Sequence, residues 1–266
     1  MKNVLDITDL EEDDIYQIWR SVKDRPDRTI EGNIAWSFEG NGIRTRTTFQ
    51  RAFQRLGLSY VELPNFLKTS EIVEDLAGYM DPFYSLYVIR DNNHERMVSF
   101  AKASTKPVIN AMSGEAHPCE VLTDGYYLNS KFESISELRI LLWGPVTNVF
   151  KSWSALSKVL GLNLTHISPE GYELNTSGVT ITDIVTGQFD VIVTDAWPSG
   201  FTSSQFTLTE KKLLELGSPL LLPTPPVTIG QELSFIPSSY DGFAGFAQKS
   251  LLLPVQEAII SHTLKN

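Results

Sequence analysis

Apolar, strand-like runs alternate with amphipathic helical patterns along almost the whole chain, and this alternation restricts the fold more than any other feature. Strands are expected near residues 34–38, 58–63, 85–90 and 106–111, and again near 138–143, 162–167, 189–194 and 220–222. Strands that alternate with helices form parallel sheets covered by those helices. The sequence therefore predicts an α/β protein with two parallel-sheet domains. We expect its active site in the cleft between them, at the carboxyl ends of the strands.

The polar, serine-rich stretch 129–136 is the expected joint between two domains. A length of 266 residues is consistent with two domains. We expect one domain over residues 1–130 and a second over 131–266. The C-terminal helix, about 247–263, could pack back onto the first domain or stay with the second. A shorter polar linker at 24–28 separates an acidic first helix from the first strand.

Composition disfavours several classes of partner. The chain has 22 basic and 32 acidic side chains and a formal net charge of −10, which disfavours nucleic acid and anionic membrane surfaces. No apolar run approaches the roughly 20 residues that a membrane span needs. Cys119 is the single cysteine, so no internal disulfide can form, and we expect a cytoplasmic protein.

A glycine-rich corner at residues 40–42 connects the first strand to a helix. Two arginines that bracket Thr45 follow the corner, and Phe49 and Phe53 then fall on one helix face. The dipole and unpaired N–H groups of a helix N-terminus favour an anion, and Arg44 can add a bidentate contact to phosphate or carboxylate. From spacing alone, a phosphate site and an ordinary surface helix with a charged first turn are equally compatible with this segment.

Other polar side chains follow strands at the edge where α/β proteins bind ligands. Arg90 ends the third strand, and His117 stands before a proline at a helix start after the fourth. In the second half, Asn148 follows the first strand and Asp195 follows a later one. Each has a structural alternative: a strand-end salt bridge for Arg90, a structural histidine without a catalytic role for His117, a helix N-cap for Asn148 and a turn residue for Asp195.

Six segments carry a further signal in their order and spacing: Gly42-Ile43-Arg44-Thr45-Arg46-Thr47-Thr48-Phe49, Arg90, His117-Pro118-Cys119-Glu120, Gly144 to Asn148, Thr194-Asp195-Ala196-Trp197-Pro198-Ser199 and Ala247-Gln248-Lys249. They resemble the aspartate/ornithine carbamoyltransferases, and the second half is more similar to the ornithine branch. Together they extend the resemblance over nearly the whole chain.

The resemblance implies a homotrimer that moves the carbamoyl group of carbamoyl phosphate to an amine of an amino acid or related acceptor, without a metal or cofactor. The first domain would bind carbamoyl phosphate and the second the acceptor. Catalytic roles are implied for Arg44, Thr45, Arg90 and His117. Carbamoyl phosphate would contact these four together with Gly42, Ile43 and Glu120, and the acceptor would contact Asn148, Asp195, Ser199 and Thr224.

The chain departs from the family pattern at several of these positions. The family's Ser-Thr pair is Gly42-Ile43 here, its glutamine is Glu120, its His-Cys-Leu-Pro segment is replaced at 223–226, and Ala244 stands where an arginine is expected. Three functions remain open. They are a diverged carbamoyltransferase in specialised biosynthesis, a catalytically impaired binding or regulatory relative, and a protein whose altered site takes a different anion.

Overall fold

The chain divides into two compact units, residues 1–123 with 251–266 and residues 124–250, which we call the first and the second unit. The computed structural model describes residues 2–24, 30–183 and 186–265. Most of the polar linker expected at 24–28 therefore lies outside the described residues. Among the helices of the described ranges, none is long and apolar enough to cross a lipid bilayer.

The first unit contains a four-stranded parallel sheet whose strands are connected by helices. In chain order its elements are α1 (Glu12–Asp24), β1 (Asn33–Phe38), α2 (Ile43–Arg55), β2 (Ser59–Glu62), α3 (Val73–Met80), β3 (Leu86–Arg90), α4 (His94–Ala103) and β4 (Val108–Met112), followed by α5 (Pro118–Lys131), within which the two units divide. The strand order is β2-β1-β3-β4, and every adjacent pair is parallel.

Burial on both faces accounts for the apolar sequence of β1. Every residue from Ile34 to Phe38 is buried, as expected for a parallel strand covered on both sides. Trp36 packs against Phe49 and Phe53 of α2, with ring centroids 5.3 and 5.9 Å apart. The two phenylalanines are one helical turn apart and share a face. This packing fixes the start of α2 directly beyond the end of β1.

The second unit contains a five-stranded sheet. Its elements are β5 (Arg139–Trp143), α6 (Asn148–Leu160), β6 (Asn163–Ile167), β7 (Val179–Thr182), β8 (Val191–Thr194), α7 (Glu210–Glu215), β9 (Leu220–Pro223) and α8 (Gly245–Lys249). The strand order is β7-β6-β5-β8-β9, again with parallel pairs throughout. The two sheets confirm the prediction of two parallel-sheet α/β domains.

Local signals determine where α6 begins and ends. The Thr147 hydroxyl accepts a hydrogen bond from the Phe150 N–H at 3.3 Å and caps the helix. Gly161 ends it with a φ of +65°, a conformation that favours glycine. Because β5 ends at Trp143, the capped start of α6 lies only a short turn beyond the carboxyl end of the central strand.

The C-terminal segment forms two helices instead of the single one predicted near 247–263. The second of these, α9 (Leu252–Lys265), has Pro254 in its first turn, where proline is tolerated. It packs against α1 and α2 of the first unit, and Glu257 pairs with Arg55 Nη1 at 3.2 Å. The end of the chain therefore belongs to the same unit as its beginning.

Candidate active site

The carboxyl ends of three strands lie side by side in the first unit. Phe38 of β1 is in register with Arg90 of β3, which is in register with Met112 of β4. The corner before α2 follows β1, and the loop that carries His117 follows β4. One sheet edge therefore gathers the segments in which the anion-binding residues were predicted.

The corner before α2 presents backbone donors. Gly42 is the N-cap of α2 and makes no side-chain cap hydrogen bond, and Ile43 is 68% exposed. The first N–H groups of a helix have no intrahelical acceptor and lie at the positive end of its dipole. The corner is therefore suited to an anion. Arg44, which follows directly, is exposed at the same place.

Arg90 reaches this corner from the end of β3. Its Nη1 donates to Thr45 Oγ1 at 3.3 Å, and its guanidinium lies over the Phe38 ring, 5.2 Å from the centroid. Burial lowers the pKa of Arg90, and the positive charge of Arg44 lowers it further. The structure thus brings Arg44, Thr45 and Arg90 together, and the two cations give this corner a positive potential.

Lys68 holds the acidic side chains that flank Arg90. Its Nζ lies 3.1 Å from Glu39 Oε1 and 3.3 Å from the buried Asp91 Oδ1. Glu39 also accepts a hydrogen bond from the Asn92 N–H at 2.7 Å, and this bond lowers the pKa of Glu39. Because both carboxylates are held by Lys68, they neutralise the charge of Arg90 less than unpaired acids would. The sequence patterns did not identify this network.

His117 and Glu120 stand at the start of α5, and both are buried. The loop before them is fixed by Ser113, whose Oγ lies 2.9 Å from His94 Nδ1 and 3.0 Å from Asn110 Nδ2. His117 is therefore held at the edge that also carries Arg90. Glu120 lies one turn further along the helix, away from the end of β4.

In the second unit, Asp195 follows β8 and meets the turn before α6. Burial raises the pKa of Asp195 to about 6, hydrogen bonds from the Thr147 side chain and the Ala196 N–H oppose this, and the charge of Glu232 raises it further. Thr147 immediately precedes Asn148. Two of the predicted acceptor-binding residues, Asn148 and Asp195, are therefore brought into one neighbourhood.

The remaining two predicted acceptor-binding residues differ in exposure. Thr224 follows β9 and is buried, and its N–H donates to the carbonyl of Thr194 at 2.8 Å. This bond holds Thr224 beside Asp195. Ser199 lies further along the loop after β8 and is exposed.

Glu232 joins two loops of this region and was not predicted from the sequence. Its Oε1 accepts from the Trp197 N–H at 2.8 Å, and its Oε2 accepts from the Thr228 N–H at 2.7 Å. The residue is 2% exposed, and a buried carboxylate requires such donors. It lies in an irregular loop, where neither periodicity nor spacing marks a functional position.

The turn at Gly144, before Asn148, leaves little room for a side chain. Its φ is +116°, and a β-carbon there would lie 3.1 Å from Trp197 Nε1. His166 Nε2 lies 2.8 Å from the Gly144 carbonyl, and His166 Nδ1 accepts from the Leu174 N–H. These partners require a neutral imidazole with its proton on Nε2, and burial lowers the pKa of His166 in agreement.

The two regions suit ligands of different charge. The corner in the first unit offers cations and helix N–H groups, which favour phosphate or carboxylate. In the second unit, the carboxylate of Asp195 beside Thr147 and Asn148 favours an ammonium or another donor. Across the residues that the structure describes, no group of three or more His, Cys, Asp or Glu side chains is placed to hold a metal ion.

A family model with the description "Aspartate/ornithine carbamoyltransferase, carbamoyl-P binding domain" matches residues 2–130. The matched range contains the corner at Gly42, the strand end at Arg90 and the helix start at His117. Over residues 2–130 the chain therefore matches the carbamoyl-phosphate-binding domain of the aspartate/ornithine carbamoyltransferase family. This confirms the resemblance read from the sequence.

The chain is similar to several ornithine carbamoyltransferases. The ornithine carbamoyltransferase of Methanococcus vannielii is 27% identical over an alignment of 267 positions that covers 88% of each chain. That of Prochlorococcus marinus is 29% identical over 182 residues, which cover 65% of this chain and 59% of the relative. The crystal structure of ornithine carbamoyltransferase from Thermus thermophilus, at 22% identity, gives a TM-score of 0.91 over 99% of both chains. The structural likeness establishes the shared fold.

Proposed function

We propose that this protein belongs to the aspartate/ornithine carbamoyltransferase family and transfers the carbamoyl group of carbamoyl phosphate to an amine of an amino acid or a related acceptor. The observation that carries the proposal is the hydrogen bond from Arg90 to Thr45 beside the charge of Arg44 at the start of α2. In this proposal residues 1–130 form the carbamoyl-phosphate-binding domain, and residues 131–266 form the acceptor-binding domain, except that the C-terminal helix α9 packs back onto the first unit.

Carbamoyl phosphate is bound by the positive corner of the first unit. The phosphate accepts hydrogen bonds from the guanidinium of Arg44 and from backbone N–H groups at Gly42 and Ile43. Arg90 and Thr45 orient the carbamoyl oxygen. Two further groups complete this part of the proposal, since His117 polarises the carbamoyl oxygen and Glu120 accepts from the carbamoyl NH₂.

The chemical step needs positioning and charge stabilisation more than a protein nucleophile. The lone pair of an uncharged amine forms a bond to the carbamoyl carbon, and the bond from that carbon to the bridging oxygen breaks. Phosphate leaves with the electron pair, and the amine proton passes to solvent or to the departing phosphate. Arg90 and His117 stabilise the negative charge that develops on the carbamoyl oxygen.

The acceptor is bound by the region around Asp195. Because the pKa of Asp195 is raised to about 6, its carboxylate is mostly ionised at pH 7 and can pair with an ammonium group that does not react. Asn148, Ser199 and Thr224 supply hydrogen bonds to the polar groups of the acceptor. As the pH falls below about 6, protonation of Asp195 removes the charge and weakens acceptor binding.

A catalytically impaired binding or regulatory protein is the second candidate. It is favoured by Gly42 and Ile43, which replace two hydroxyl-bearing residues of the family pattern, and by Glu120 and Ala244, which replace a glutamine and an arginine. Each charge-assisted hydrogen bond contributes about 1.5–3 kcal/mol. Loss of several would lower the affinity for carbamoyl phosphate by orders of magnitude unless other groups compensate.

Phosphate release from carbamoyl phosphate, measured with a panel of amino acids and amines, separates the two candidates. Turnover that depends on an added amine supports the transferase. Tight calorimetric binding of carbamoyl phosphate without turnover for any amine supports the impaired relative. Arg90→Gln should abolish amine-dependent release, whereas Arg139→Gln, at an exposed ion pair with Asp190, should leave it intact.

The proposal also includes a cytoplasmic location and a homotrimer, as the family resemblance implies. Light scattering on the purified chain tests the assembly, with a mass of three chains expected. A monomer at working concentrations would contradict this part of the proposal without affecting the assignment of Arg44, Arg90 and His117.

A further inference from the structure

The guanidinium of Arg90 occupies the space in which a side chain at position 42 would begin. A β-carbon built on Gly42 would lie 2.5 Å from Nη1, 2.6 Å from Cζ and 3.0 Å from Nη2 of Arg90. Non-bonded carbon and nitrogen atoms do not approach so closely without one of them moving. Arg90 can therefore adopt this position only beside a residue that has no side chain.

The backbone does not itself require glycine at this position. Gly42 has φ −58° and ψ 66°, close to the inverse γ-turn conformation that other residues also adopt. Another glycine of the same unit, Gly78, has no atom within 4 Å of its would-be β-carbon. A side chain at position 42 is therefore excluded by the volume that Arg90 occupies and not by the backbone conformation.

The acid whose charge acts on Arg90, Glu39, is paired with Lys68 and offsets the charge of Arg90 only in part. Phe38 and Thr45 hold the Arg90 guanidinium, and its Nε is buried without a hydrogen-bond partner among the described residues. Arg44 adds a like charge beside it. A buried donor next to a second cation is costly when unmatched, and a bound anion removes that cost.

We propose that Gly42 is a positioning residue for phosphate binding, because its missing side chain admits the Arg90 guanidinium to the N-terminus of α2. There the guanidinium supplies donors to the phosphate in place of the hydroxyl that the family pattern has at position 42. The inference deepens the proposed function and rests on its carbamoyl phosphate site. The glycine at position 42 thus removes one hydroxyl donor, and the Arg90 guanidinium compensates for that loss.

A side chain at position 42 should disturb binding more than folding. The atoms that it would meet belong to the end of a long, flexible arginine side chain, which can swing away at little cost to the fold. The guanidinium would then leave the phosphate site. Gly42→Ala tests this directly, and Gly42→Ser is the sharper test because its hydroxyl adds a donor that should otherwise strengthen phosphate binding.

Calorimetric titration of the full chain with inorganic phosphate, together with urea unfolding, tests the proposal. Gly42→Ala and Gly42→Ser should each weaken phosphate binding roughly tenfold to a hundredfold, the loss expected for one charge-assisted contact, with unchanged unfolding midpoints. Gly78→Ala is the matched control and should bind phosphate as the unaltered chain does. In an Arg90→Ala background, Gly42→Ala should cause no further loss, because the group through which it acts is gone.

Several results would overturn the inference. One is phosphate binding by Gly42→Ser that is unchanged or tighter, and another is an additive loss of binding when Gly42→Ala is combined with Arg90→Ala. The others are lower unfolding midpoints that accompany the weaker binding of both Gly42 variants, and an unaltered chain that does not bind phosphate. Its failure is distinguishable from failure of the proposed function. If phosphate affinity depends on Gly42 but no amine is turned over, only the proposed function is contradicted. If an amine is turned over but phosphate affinity does not depend on Gly42, only this inference is contradicted.

Discussion

The buried carboxylate of Glu232 accepts a hydrogen bond from the backbone N–H of Trp197 at 2.8 Å and so ties the loop after β9 to the loop after β8. Glu232→Gln would turn an NH₂ group toward one of the two N–H groups from which the carboxylate now accepts hydrogen bonds. We expect a loss of about 2 kcal/mol in unfolding free energy and faster hydrogen exchange of the Trp197 amide. Glu170→Gln, at an exposed position, is the control. Unaltered exchange at Trp197 would show that this bond does not hold the loop.

Asp195 should make the second unit less stable as the pH rises. Its pKa, about 6, lies above the ordinary value of 3.8, so between these values the folded chain holds a proton that the unfolded chain has released. Stability conferred by that proton is complete below about pH 4 and is lost by about pH 6. The unfolding free energy of Asp195→Asn, measured with urea, should therefore rise relative to that of the unaltered chain as the pH is raised from 4 to 7. The total relative rise should be up to about 3 kcal/mol.

Asp190 provides a control of opposite sign for the Asp195 experiment. Its hydrogen bond with Arg139 lowers the pKa of Asp190 below the ordinary value, so its contribution is present above that value and is lost as the pH falls. Asp190→Asn should become more destabilising as the pH rises. Equal pH slopes for the Asp195 and Asp190 variants would contradict the assignment.

Asp81 is predicted to stabilise the first unit through four hydrogen bonds. Oδ1 accepts from Tyr87 Oη and Ser104 Oγ, and Oδ2 accepts from the N–H and Oγ1 of Thr105. Burial raises the pKa of Asp81, but these bonds outweigh it and hold the pKa below its ordinary value. Asp81→Asn should cost about 2–3 kcal/mol of unfolding free energy at pH 7, because its NH₂ group faces donors.

The same urea measurement on Asp75→Asn, an exposed position of the same unit, should show a change below about 0.5 kcal/mol. The cost of Asp81→Asn should shrink as the pH is lowered through the range where Asp81 itself is protonated. A cost that is the same at pH 3 and pH 7 would mean that the ionised carboxylate is not what these donors require.

Gly144 should tolerate substitution less well than a glycine that is strained only in its backbone. Gly144→Ala adds a contact with Trp197 Nε1 to a residue with φ +116°, and we expect a loss of about 2–4 kcal/mol. Gly178 has φ +85° and no atom near its would-be β-carbon, so Gly178→Ala should cost about 1–2 kcal/mol. Equal unfolding free energies for the two variants would show that the Trp197 contact is unimportant.

Elements with strong local signals were predictable from the sequence. The strand predicted near residues 138–143 differs from β5 by one residue at its start, and the one predicted near 162–167 differs from β6 by one residue at its start. β7 and α7 were not predicted. β7 is a short edge strand, partly exposed along its length, and its pairing with β6 depends on tertiary context more than on its own residues.

The C-terminal helix shows how one sequence signal can obscure another. Its apolar residues continue with a helical period from 247 to 263, which predicted one element. Pro254 was the contrary signal, since proline favours the first turn of a new helix over the interior of an old one. The observed break before α9 follows the proline and not the apolar pattern.

Candidate site residues at strand ends could be found from topology, whereas those in loops could not. Arg90 and Asp195 each end or follow a parallel strand, and the carboxyl edge of such a sheet is where ligands bind. Glu232, Thr147 and Lys68 act through contacts with residues far away in the sequence. No periodic pattern encodes such contacts, so the roles of these three residues become visible only when the chain is folded.

The placement of α9 in the first unit has a consequence for biosynthesis. Residues 124–250 form one uninterrupted stretch, whereas the first unit is completed by residues 251–266. The ribosome therefore finishes everything the second unit needs before it has made the helix that covers α1 and α2. Nascent chains generally fold from the amino-terminal domain onward. In this chain the first unit, whose synthesis begins earlier, is the later of the two to have all of its residues available for folding.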